Sequence, residues 1–125
     1  MRLDEGTAEP DDVRRFWEVL ERSWEAPPDN NGFLRLRIDK GEADVYAGQP
    51  GEPCDSVMIN HFGGYRIMDA IVEAARVGDF LILGPGLPPC LTRPEQHKRL
   101  AAMPDLGEPV LISSGKELTT LIRDA

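Results

Sequence analysis

Residues 56–87, SVMINHFGGYRIMDAIVEAARVGDFLILGPGL, read as strand, glycine turn, helix, strand and second glycine turn. Val57, Met58 and Ile59 form a short apolar run, and Gly63-Gly64 supplies a turn able to open a helix. Ile67, Met68, Ile71, Val72 and Ala75 then recur at the spacing of one helical face. Gly78 stands where a glycine ends a helix, and Phe80-Leu81-Ile82-Leu83 follows without polar alternation. Such a run predicts a strand covered on both faces and lying at the centre of its sheet.

Outward from that stretch, the helix before it starts at Asp11 or Asp12 and stops before Pro27-Pro28, with Val13, Phe16, Trp17, Leu20 and Trp24 on one stripe. The stripe fits a face packed on the sheet; Trp17 and Trp24 are also the candidates for a partner or homodimer surface. Phe33–Ile38 alternates at the period of a half-buried strand with Leu34, Leu36 and Ile38 inward, turns at Asp39-Lys40-Gly41-Glu42, and returns through Ala43, Val45 and Ala47. Arg35 and Arg37 face solvent on this hairpin. Beyond the quoted stretch, Thr92-Arg93-Pro94-Glu95 has capping-box spacing and predicts a helix to about Met103, stopped at Pro104. Pro109–Ile112 reads as a last strand, and Ser114-Gly115-Lys116-Glu117 opens a final helix with Leu118, Leu121 and Ile122 inward.

The expected order is therefore α-β-β-β-α-β-α-β-α: an α+β domain, α/β-like in its C-terminal half, with a mixed sheet of about five strands. Residues 1–10 lack hydrophobicity and periodicity and are expected to be a disordered acidic arm; residues 11–125 form the single globular domain.

Charge narrows the function classes. The net charge is −8, and residues 1–29 hold nine acids against four bases, so −5 of it lies in the arm and first helix. That balance speaks against a nucleic-acid backbone as partner. No apolar run approaches the roughly 20 residues of a membrane span, and MRLDEGTAEPDD lacks the apolar segment of a secretory signal, so a cytoplasmic protein is expected. Cys54 and Cys90 are then free thiols. No cofactor or metal is called for, because Cys54, His61, Cys90 and His97 are spread singly without the close ligand pairs of zinc sites. Asp69 and Glu73, at i, i+4, read as solvated.

Two functional readings remain. One is a non-catalytic protein-interaction or adaptor module. The other is a site for a small anionic ligand, in a binding protein or an enzyme, formed if the last three strands are parallel and bring three loops to one edge. Its candidate residues are Asn60, His61, Gly63, Gly64 and Arg66, then Gly84 and Gly86, then Ser113 and Ser114. Glycine-freed amides at helix starts attract anions, Arg66 adds a cation, and His61 could act as acid, base or donor. Against it, the glycines lack the GxGxxG or GxxxxGK[ST] pattern, and the few convergent polar groups favour the adaptor.

Overall fold

The computed structural model describes every residue except 7–8, 101 and 103–106. Among the described residues the elements are β1 (Arg2–Asp4), α1 (Pro10–Glu21), β2 (Phe33–Ile38), β3 (Gly41–Tyr46), β4 (Ser56–Gly63), α2 (Tyr65–Val77), β5 (Leu81–Leu83), β6 (Cys90–Leu91), α3 (His97–Leu100), β7 (Val110–Leu111) and α4 (Gly115–Arg123). They build one mixed sheet in the order β2-β3-β4-β1-β5-β6-β7. The α+β class is as expected, but there are seven strands rather than about five. The two additional strands, β1 and β6, are three and two residues long, too short to display a period of two.

The arm expected to be disordered contains the strand at the middle of the sheet. β1 runs antiparallel to both β4 and β5, with Leu3 opposite Val57 on one side and Ile82 on the other. β4 and β5 therefore point the same way across a one-strand gap, joined by α2. An empty gap would expose two rows of unpaired backbone groups inside the fold, and β1 satisfies both. Leu3 is 1% exposed, a burial contributing roughly 1.5–3 kcal/mol. The centre expected for Phe80–Leu83 thus belongs to β1, while β5 lies beside it, buried on both faces as its composition predicts.

Leu34, Leu36, Ala43, Val45, Val57, Ile59 and Leu3 face one side, where they share a core with Phe16, Trp17 and Leu20 of α1 and Ile67, Met68, Ile71 and Val72 of α2. The Phe16 and Phe80 rings meet at 5.2 Å. α1 ends six residues earlier than Pro27, because the chain beyond it turns to cover the sheet edge. Trp24 bridges Leu36, the Glu25 amide donates to the Arg35 carbonyl, and the Arg37 amide donates to the Ser23 carbonyl. Edge pairing outweighs helix propensity there, and it closes an otherwise open edge.

The second capping box forms as expected: Ser114 accepts from the Glu117 amide at 3.2 Å. The first shifts by one residue, with Arg93 as cap and Gln96 reaching back; a 3₁₀ turn, Pro94–Gln96, then leads into α3. The expected end of that helix at Met103-Pro104 lies outside the described residues.

Candidate functional site

β4 carries one residue more than β3 between the pairs Asp44–Asn60 and Glu42–Gly63, which is a β-bulge. His61 absorbs it with φ at +50°, a left-handed conformation that costs a non-glycine residue roughly 1–2 kcal/mol. The bulge turns the imidazole outward beside Asn60, leaving its side chain 82% exposed. There Nδ1 donates to Asp44 Oδ2 at 3.0 Å, and Arg35 Nε donates to the other oxygen at 3.0 Å. These bonds, that from His61 first, hold the Asp44 carboxyl below its ordinary range.

The remaining candidates are only partly brought together. Asn60–Gly64 and Gly84–Gly86 leave the same sheet edge, since Met58 and Leu83 both pair with Arg2 and their strands are parallel. Ser113-Ser114 does not: β6 is antiparallel to β5 and β7 is parallel to β6, so β7 runs opposite to β4 and β5. Several of the anion-attracting groups have a partner within the protein, whereas the start of α2 at Gly64 has no side-chain cap. Arg66 donates to Asp39 at 3.0 Å. Ser113 and Ser114 donate to Glu117 Oε1, and bonds from Ser113 foremost lower the Glu117 pKa. The Gly115 amide at the start of α4 donates to Asp69 Oδ1 at 2.7 Å, so Asp69, exposed as expected, also caps that helix. Glu73 pairs with Arg22. Gly64, at φ +99°, lies where a Cβ would come within 2.7 Å of the Gly41 backbone, a packing reason for glycine. Gly86 turns against Ala125.

The two tryptophans pack on each other edge to face at 6.4 Å, and Trp17 is 3% exposed. Trp17 therefore offers no surface to a partner; its Nε1 finds no acceptor among the described residues. Cys54 and Cys90 are buried, which pushes both thiols up to about 11, and each bonds backbone carbonyls rather than a histidine. Among the described residues no group of three or more His, Cys, Asp and Glu side chains could hold a metal ion. The most buried polar cluster was not anticipated: Gln96 Nε2 donates to Asp79 Oδ1 at 3.0 Å, its Oε1 accepts from the Thr92 and Arg93 amides, and Arg99 pairs with Asp79. It pins α3 to the end of α2, and every member is occupied.

What the registers do assemble is a row on the outer face. Phe33 pairs with Tyr46, Tyr46 with Met58, Met58 with Arg2, and Arg2 with Leu83. These five residues cross five adjacent strands, about 19 Å at roughly 4.8 Å per strand. Tyr46 is 45% and Met58 43% exposed, against the burial of every inward neighbour. The row ends at a cavity of about 410 Å³ lined by Met1, Arg2, Met58, Leu83, Leu87 and Pro89. The sequence held a signal for it, an apolar residue at the solvent-facing position of three successive strands, but joining them required the strand order.

Comparison with protein-family models, characterised proteins and solved structures finds no match to this chain. Among the described residues no helix is long and apolar enough to cross a membrane.

Proposed function

We propose that this chain is a non-catalytic protein-interaction module that docks through the open outer face of its sheet. The observation that carries this reading is the Phe33–Tyr46–Met58–Arg2–Leu83 row, in which Tyr46 and Met58 are exposed at its centre, Phe33 is half-buried and Leu83 is buried at its end. Aromatic residues, methionine and arginine are the types enriched at protein contacts, and here they stand together. Of the groups an anion site would draw on, Arg66, Ser113, Ser114 and the first amide of α4 are engaged inside the protein, and only the start of α2 lacks a side-chain cap. The test is a photoreactive residue placed in turn at Tyr46, Met58, Lys98 and Lys116 in the native cell. The reading expects protein crosslinks from the first two positions; crosslinks confined to the last two would overturn it.

A second reading, a small anionic ligand beside His61, has one observation in its favour. The strained backbone presents an imidazole whose Nδ1 is fixed by Asp44 and whose Nε2 faces solvent. Titration with phosphate and acetate, followed on the His61 ring protons and the Gly63 and Gly64 amides, would give saturable shifts under this reading and none under the first.

A further inference from the structure

Resting on the interaction reading, we propose that the occupant of the outer face is a second copy of this chain, joined as a two-fold dimer with the rows reversed against each other. Three observations point to a second copy.

The first is charge. Arg2 pairs with Asp4, Arg35 with Asp44, and Arg37 with Glu42, so the outer face balances three cations against three anions, with Glu25 at its rim. The chain as a whole carries −8, so its excess negative charge lies elsewhere. Two copies repel little through a face where their charges cancel. A strongly basic partner would gain more from the acidic first helix than from this surface.

The second is that the row complements its own reversal. A two-fold axis between the sheets, running along the strands at Met58, sets Met58 against Met58 of the second copy. It then sets Tyr46 against Arg2 of the second copy, and the half-buried Phe33 over the mouth of the cavity in which the buried Leu83 forms one wall. A ring over a guanidinium is attractive, and an aromatic side chain fills an apolar cavity. Self-complementarity of this kind is what an isologous contact requires. Aligned sheets also pack face to face at about 10 Å, a distance these side chains can span.

The third is that two of the other routes to self-association are closed. The β2 edge is covered by the Trp24 bridge, and both tryptophans that could have formed a helical interface pack on each other.

Sedimentation velocity on the full chain, from micromolar to millimolar concentration, tests the proposal. The expected result is a monomer–dimer equilibrium that Met58→Lys weakens at least tenfold. Tyr46→Phe should retain it, because the ring remains, whereas Tyr46→Ser should weaken it. Lys98→Glu, on α3, should leave it unchanged. Since Met58 and Tyr46 are exposed, the variants are expected to fold, which their circular dichroism checks. A short bismaleimide should couple Met58→Cys chains into covalent dimers and leave Lys98→Cys chains single; the buried Cys54 and Cys90 provide no competing site. A wild-type chain that stays monomeric to millimolar concentration, or dimers indifferent to Met58→Lys, would overturn the proposal. If photocrosslinks from Tyr46 and Met58 to a different protein then persist, the interaction reading stands and the second copy is excluded; if those crosslinks are also absent, both fail.

Discussion

The inner and outer faces of this sheet are drawn from alternate residues of the same strands, yet different forces hold them. Inward, Leu3, Leu34, Leu36, Ala43, Val45, Val57 and Ile59 are all buried against α1 and α2. Burial of one such leucine contributes roughly 1.5–3 kcal/mol, so the inner face decides whether the chain folds. Outward, Arg35–Asp44 and Arg37–Glu42 are ion pairs beside water, each typically worth about 0–1 kcal/mol. The outer face around these pairs is therefore free to vary with little effect on folding, which leaves room there for the proposed docking row.

The largest effect is expected where the inner face is deepest. Leu3 is held between Val57 and Ile82, and Leu3→Ala should cost about 2–5 kcal/mol in urea denaturation, while Leu3→Asp should prevent folding. Arg37→Ala, on the outer face, should cost a few tenths of that on the same axis. Similar losses for Leu3→Ala and Arg37→Ala would dissolve the distinction between the faces.

Asp79 sharpens the comparison, because there charge meets inner-face burial. It is 5% exposed, in a left-handed backbone at φ +61°, with its carboxylate on Gln96 and Arg99. Its replacement by alanine takes the carboxylate from the half-buried Arg99 cation, which keeps only backbone carbonyls, and one acceptor from Gln96, whose Nε2 keeps Phe80 O and Thr92 Oγ1. A loss of about 3 kcal/mol is expected, closer to Leu3→Ala than to any surface ion pair. Loss of less than about 1 kcal/mol would place Asp79 with the outer face.

The same division explains how far the sequence could be read. The helix of residues 65–77, the hairpin of residues 33–46 and the cap at Ser114 were legible because periodicity and capping are local. β1 was not, since RLD offers one apolar residue, and its place follows from the gap that β4, α2 and β5 leave. The direction of β7 was equally hidden. It depends on β6, a two-residue strand inside a proline-rich loop, and with it went the convergence of Ser113 and Ser114 on His61. Trp24 misled in the other direction: its helical spacing was genuine, but backbone pairing at the β2 edge took it out of the helix. Local chemistry marked His61 as unusual, and only the register showed it to be the extra residue of a bulge.

That bulge gives a smaller, cleaner measurement. His61→Ala and His61→Gly both remove the imidazole, so their difference isolates the left-handed backbone. Glycine should be the more stable by about 1 kcal/mol. Equal stabilities would mean that β4 relaxes out of the bulge when the imidazole is removed, which cross-strand contacts between Glu42 and Gly63 in NMR spectra would reveal by their absence. Met58→Lys, one alternation away, should change monomer stability by less than about 0.5 kcal/mol.

The smallest expected effect is in the pH dependence of the outer face. Donation from His61 and then Arg35 lowers the Asp44 pKa in the folded state. A lowered carboxyl contributes stability that is fully present above its unfolded pKa and is lost as pH falls through the folded value. The loss should therefore begin in the ordinary carboxylate range and continue below it, with stability falling toward acid. Removal of the imidazole in His61→Ala takes away the largest cause, so Asp44 should titrate higher, and this part of the acid loss should shrink. Carboxyl carbon shifts of Asp44 read both changes directly. An Asp44 that titrates at the same pH with and without His61 would mean that the 3.0 Å bond does not persist in solution. Arg35 alone would then position the carboxylate, and only the flanking pairs Asp44–Asn60 and Glu42–Gly63 would tie the bulge to β3.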